Sequence, residues 1–193
     1  MRAKAFKADQ ADAAQVTALV DKAAGHFGRL DILVNNAGVF ITGPLSEAAS
    51  KAAIYDNQLA VNVGGVAAAV RAAVRHLPEG GRIINLGSCV GEITPFPGMA
   101  DYSATKAAVA AYSRGWARDL GAKGITVNTV QPGPIDTDMN PANSDVAPTL
   151  AARTALGRYG RAEEVAAAVA FLAGPDASYI TGSALDVDGG INA

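Results

Sequence analysis

Cysteine, tryptophan and histidine are nearly missing from the sequence, at one, one and two residues among 193. A single thiol, Cys89, excludes an internal disulfide and suits a reducing, cytoplasmic setting. One cysteine and two distant histidines make a poor zinc set, so no metal is expected. Charge of either sign is not in excess: 16 Lys and Arg stand against 18 Asp and Glu. No basic stripe is visible, which removes the electrostatic footing for nucleic acid. No apolar run reaches membrane-spanning length, and Met1-Arg2-Ala3-Lys4 does not lead into a signal-peptide core, so no membrane partner is expected. Aromatics are only 6% of the residues. What is abundant is Ala, Val, Ile and Leu, the balance of alanine-rich helices packed on a Val/Ile sheet. One domain over 1–193 suits the length.

Strand and helix signals alternate along the chain. Ala3 to Ala8 reads as a short strand ending at Asp9. Ala11 to His26 reads as a helix, with Asp9 or Asp12 as its cap and Gly25 and Gly28 at its end. Ile32-Leu33-Val34 is apolar on both faces, as strands inside parallel sheets are. A short helix near Ser46 to Ala53 and a long one from Tyr55 to His76 follow, and Pro78-Glu79-Gly80-Gly81 breaks the second. Arg82 to Leu86 is a strand, Met99 to Leu120 a long helix, and Ile125 to Val130 a strand cut off by Pro132-Gly133-Pro134. The polar, irregular stretch from Asp136 to Leu156 has the character of a lid. Ala162 to Ala173 is helical, and Ala184 to Val187 is a last strand. This βα succession predicts an α/β, Rossmann-like, doubly wound parallel sheet with helices on both faces.

Ligands of such sheets sit beyond the carboxyl ends of the strands. Asp9, Asn35-Asn36-Ala37-Gly38, Ser88 and Pro132-Gly133 all follow predicted strands, so one shared edge would gather them into a single crevice. The chemistry is carried by Tyr102-Ser103-Ala104-Thr105-Lys106. Residues i and i+4 of a helix face the same way, so the phenol and the ammonium can meet. A phenol titrates at about 10, and a fixed positive charge beside it favours the phenolate. Such a tyrosine can give a proton to a carbonyl or take one from an alcohol. Ser88 can hydrogen-bond the same substrate oxygen. Alone, a Tyr-x-x-x-Lys pair is equally compatible with an ordinary surface pair.

The company of these motifs makes the sequence resemble the short-chain dehydrogenase/reductase family over essentially its whole length. Phe27 through Gly38 is similar to the segment through that family's fourth strand, and Tyr102 with Lys106 to its active-site pair. Pro132 through Thr137 resembles its cofactor-amide loop, and Thr181-Gly182 through Asp188-Gly189-Gly190 its last strand and turn. Within the family, Gln131 through Asp138 with Asn140 through Asn143 resembles a subgroup of 3-oxoacyl-carrier-protein-reductase-like and cyclic-di-GMP-linked biofilm-dispersal oxidoreductases.

The resemblance implies an enzyme that moves a hydride between NADP or NAD and a ketone or secondary alcohol, as a homodimer or homotetramer. Ser88 would polarise the carbonyl and Tyr102 would act as general acid/base. Lys106 would lower the tyrosine pKa and hold the nicotinamide ribose, and Asn62 would support a water-mediated proton relay. Asp9 would approach the adenine. Asn35, Ala37 and Gly38 would line the adenosine side, with Pro132, Gly133, Ile135 and Thr137 facing the nicotinamide.

Plainer readings stand beside these. Asn62 can tie down a neighbouring loop, Asp9, Asp136 and Thr137 can cap helices, and Cys89 can be a small packed residue. His26 and His76 read as solvated, and Arg161 with Glu164 as a helix-start charge cluster. The sequence has no Gly-rich turn ahead of Asn35, and the family pattern starts at what would be its third strand, on the order of 50 residues in. The expectation is a fragment or misread start that lacks the first βαβ segment and bares an apolar edge at Ile32 to Val34. Two other functions stay open: a nucleotide-binding regulator, with cyclic di-GMP as one ligand, and an inactive truncated scaffold.

Overall fold

A computed structural model of the chain describes residues 3–193. Four strands form the main sheet: β1 (Ile32–Asn35), β2 (Arg82–Leu86), β3 (Thr126–Pro132) and β6 (Ala184–Val187). They lie in the order β1-β2-β3-β6, all parallel. The two-residue strands β4 (Ile135–Asp136) and β5 (Gly160–Arg161) pair separately. The helices are α1 (Ala13–Phe27), α2 (Ala52–Leu59), α3 (Val66–Ala73), α4 (Ala100–Leu120), α5 (Ala147–Arg153) and α6 (Ala162–Ala173). The parallel α/β sheet read from the sequence is therefore the architecture found.

Alternate residues of each strand feed opposite cores. Ile83 of β2 and Val127 of β3 pack with Val16, Val20, Val70 and Leu120 of the helices on one face. Ile84 and Val130 pack with Leu172, Val165 and Val169 of α6 on the other. Alanines on α3, buried almost throughout, let α1 and β1 approach it closely.

Several boundaries are explained by single side chains. Asp12, not Asp9, caps α1, accepting from the backbone N–H groups of Ala14 and Gln15, and Gly28 ends the helix at φ 77°. Asp9 instead closes a local turn, accepting from Ala11 N at 2.9 Å. At α6, Glu164 reaches back to the backbone N–H of Arg161 at 2.8 Å, so the charge cluster there is a capping box.

Three expectations are corrected. Ala3 to Ala8 is not a strand, since it has no ladder partner, and Phe6 rests edge-on against His26. Ile32 to Val34 is apolar on both faces yet lies at the sheet edge, with Ile32 and Val34 44% and 41% exposed. His76 is not merely solvated either, since its Nε2 meets Asp21 at 2.7 Å beside Arg75. The second predicted long helix is continuous but carries a π-turn over Ala60–Gly65, between α2 and α3.

Candidate functional site

The carboxyl ends of β1, β2 and β3 open into one cleft of about 1070 Å³. Ala37, Gly38, Ser88, Tyr102, Lys106, Pro132, Gly133, Ile135 and Thr137 all line it. Ser88 stands two residues past β2 in extended backbone and starts a short 3-10 turn through Gly91. Gly91 lies so close to the backbone of α4 that a Cβ would sit 3.1 Å from Ala107 N. This contact seats the serine loop on the first turns of the helix that carries Tyr102 and Lys106.

Lys106 is buried, 7% exposed. Its Nζ donates to Leu86 O at 3.0 Å and lies 5.7 Å from the centroid of the Tyr102 ring. Burial pulls the ammonium down to about 8. Burial also pushes the Tyr102 phenol up to about 12, with a Ser88 hydrogen bond pulling the other way and Cys89 pushing further. The expectation that Lys106 draws the phenol toward phenolate is thus not met: the ammonium is turned to the Leu86 carbonyl and the ring face, and desolvation decides. Cys89 is buried and its thiol is raised to about 11, chiefly by desolvation, so it is a packed residue and not a nucleophile.

Asn62 sits on the π-turn, 1% exposed, and its amide makes three hydrogen bonds. Oδ1 accepts from Val39 N at 2.9 Å, while Nδ2 donates to Val39 O at 2.9 Å and to Thr105 Oγ1 at 3.2 Å. Thr105 in turn donates to Tyr102 O at 2.7 Å. One turn earlier, Gln58 holds Ile41 in the same two-sided way, at 2.7 and 3.3 Å. The rise over four helical residues is about 6 Å and over two extended residues about 6.6 Å. Two helical amides can therefore stand in for a neighbouring strand along residues 39 to 41. The Asn62 side chain thus ties down the loop at Val39.

Asn35 does not face the cleft. Its Nδ2 donates to Asn85 Oδ1 at 2.8 Å, and Asn85 donates to Ser113 Oγ at 2.8 Å, a buried chain across β1, β2 and α4. Asp9 is also outside the lining, because the segment before it forms no strand to aim it there. Asp136 caps no helix and accepts instead from Ala142 N at 2.8 Å.

On the far side, Gly133 is packed on the C-terminal turn, where a Cβ would meet Asp188 Cα at 2.6 Å. That turn is tied to the serine loop through Asn192, whose Nδ2 donates to Cys89 O at 2.9 Å. Gln58, Thr105 and Phe40 were not legible as site residues. Only the spacing of Gln58 four before Asn62 offered a signal.

A family model described as Enoyl-(Acyl carrier protein) reductase matches residues 1–192. The Cyclic-di-GMP-binding biofilm dispersal mediator protein of Escherichia coli is 45% identical over 191 residues, covering 99% of this chain and 78% of that protein. The 3-oxoacyl-[acyl-carrier-protein] reductase of Staphylococcus aureus is 40% identical over 190 residues, covering 97% and 76%. The crystal structure of a blue fluorescent protein from a metagenomic library in complex with NADPH superposes with a TM-score of 0.97 at 49% identity, over 100% of this chain and 77% of that one.

Proposed function

The chain belongs to the short-chain dehydrogenase/reductase family, and on that premise we propose that it moves a hydride between NADP(H) or NAD(H) and a ketone or secondary alcohol, with Tyr102 exchanging the proton. One observation carries the reading. Ser88, Tyr102 and Lys106 converge in a single cleft at the carboxyl ends of parallel strands, where open α/β sheets place their ligands.

The residues fit the nicotinamide riboside end of such a cofactor. Lys106 Nζ makes one hydrogen bond, to Leu86 O, and an ammonium has three donors, so two remain for ribose hydroxyls. Gly38 keeps the floor beside it clear: a Cβ there would press on Asn62 Oδ1 at 3.3 Å and Lys106 Nζ at 3.6 Å. Pro132, Gly133, Ile135 and Thr137 offer peptide and hydroxyl groups for a carboxamide, and Ala37 extends the lining toward the adenosine. The dinucleotide, when bound, supplies the hydride; NADPH occupies the metagenomic relative.

The chain's own groups then handle the oxygen and the proton. Ser88 Oγ donates a hydrogen bond to the substrate carbonyl oxygen. Tyr102, a phenol protonated at neutral pH and pushed further from ionisation by burial, donates its proton to that same oxygen, which suits the reductive direction. Lys106 lies against the phenol ring, 5.7 Å from its centroid, and would hold the ribose beside it. Asn62 and Thr105 position the loop and helix around these groups.

For self-association we propose the exposed face of α4, where Ala108, Ala111, Tyr112, Gly115, Trp116 and Asp119 line an open groove of about 470 Å³. A monomer by light scattering would remove that assignment.

Loss of nicotinamide absorbance with a panel of 3-oxoacyl thioesters and cyclic ketones tests the main reading. Turnover is expected, with a drop of about 10²- to 10⁴-fold in Tyr102→Phe; equal rates in the two proteins would sink it. A second reading, a cyclic-dinucleotide-binding regulator, rests on the Escherichia coli relative's name. Calorimetry with cyclic di-GMP against NADPH separates the two.

A further inference from the structure

The cleft is almost without charge. Among the described residues that line it, only Lys106 is ionic, and its ammonium sits at the Leu86 and Gly38 end, under the Tyr102 ring. Beyond Tyr102, the walls come from three segments: residues 39–42, residues 95–99 and the 137–150 stretch. They contribute Phe40, Phe96, Met99, Met139, Val146 and Leu150.

These apolar groups are uncovered. Phe40, Met139 and Val146 are 43%, 52% and 58% exposed, an apolar surface of the kind that marks a binding groove. Three charged groups around the cleft have partners of their own. The Arg153 guanidinium of α5 is laid on the Phe96 ring, 4.6 Å from its centroid, and is not part of the lining. The Asp136 carboxylate accepts from Ala142 N, and Glu92 accepts from Gln131. The polar groups that do line this end are neutral, namely Thr42, Thr149 and Asn140, and Asn140 already accepts from Tyr159 OH at 3.1 Å.

The wall nearest the reacting phenol is also fixed. Phe40 lies between Val39 and Ile41, whose peptide groups are held by Asn62 and Gln58. Its ring stands edge-to-face on Tyr102, with centroids 4.7 Å apart and planes at 88°. A flat ring placed beside the phenol would meet an aromatic wall already in position, and aromatic pairs favour such offset and edge-on contacts. Methionine sulfur at Met99 and Met139 suits the same occupant.

Resting on the oxidoreductase reading, we propose that the substrate is a neutral, apolar ketone whose carbonyl carries an aryl or alicyclic body. A ketone bearing a carboxylate or phosphate is excluded, because burying that charge here without a partner is costly.

A matched pair of probes tests this: 4-methylacetophenone and 4-acetylbenzoate, which share ring and reacting group and differ in charge. With NADPH, kcat/KM is expected to favour the methyl ketone by at least about 100-fold. Phe40→Ala should raise KM for it about tenfold, and Phe40→Tyr, which keeps the ring, should bring KM back to within about threefold. Binding is followed in parallel by saturation-transfer NMR, which needs no turnover. Selective binding of the methyl ketone without reduction of either probe would sustain the substrate class and sink the hydride-transfer reading. Equal binding or turnover of the carboxylate, or binding of neither probe, would overturn the proposal.

Discussion

Replacing Lys106 by methionine should make the protein's stability respond to pH in the opposite way to a surface lysine change. The side chain is 7% exposed, and burial brings its ammonium from 10.5 down to about 8. Each tenfold change in a protonation equilibrium is worth about 1.4 kcal/mol, so keeping the charge buried below pH 8 costs about 3 kcal/mol. Methionine fills a similar volume without that cost but leaves Leu86 O without its donor, a loss of about 1–3 kcal/mol. Near neutrality the two nearly cancel. The pH dependence does not cancel. Between about 8 and 10.5 the unfolded chain binds a proton at this lysine that the folded chain has released, so wild-type stability rises with pH through that window. Tyr102, raised to about 12, stays protonated in the folded state across the same window. Urea unfolding of both proteins, at pH values below and above the window, should show wild type gaining about 3 kcal/mol on Lys106→Met. Parallel stability curves would refute the reasoning, since they would mean that Lys106 titrates alike in both states.

Asn62→Leu should destabilise by about 2–4 kcal/mol, because it orphans Val39 N and O and releases Thr105; an unchanged urea midpoint would contradict the loop-tying role. Gly133→Ala must push Asp188, whose Cα would lie 2.6 Å from the new carbon, so ketone reduction should fall while the far-UV spectrum is kept; full activity would show that the turn yields freely. Glu164 is held at about 2, first by the Arg158 hydrogen bond and then by the Arg161 backbone. Its folded value lies below the usual 4.5, so its stabilisation is present above that pH and lost as pH falls toward 2. Acid titration of Tm should be shallower in Glu164→Gln than in wild type.

Where local pattern and packing agree, the fold was legible. β2 and β6 run over the residues read for them, and α6 starts and stops as its capping glutamate and Gly174 dictate. Where structure depends on a distant partner, it was not. Ala3 to Ala8 reads locally as a short strand but has nothing to pair with. The π-turn at Ala60–Gly65 leaves no periodic mark in an alanine-rich helix. The gathering of Ser88, Tyr102 and Lys106 was readable from strand ends and helical spacing. The direction of the phenol's shift was not, because it is set by burial, and i,i+4 spacing says nothing about water. Asn35 shows the same gap: read as following the strand, it is β1's last residue, and its side chain answers to Asn85 inside the sheet.

The amides of Gln58 and Asn62 grip alternate peptides of the 39–41 segment from one side. In extended chain, neighbouring side chains leave on opposite faces, so the grip also settles where Phe40 can go. The entropy of stilling that ring is met during folding, when the helix docks, and not when a guest arrives. A molecule entering beside Tyr102 finds its contact surface already rigid, and its residence there should hardly depend on how mobile the 137–150 cover is.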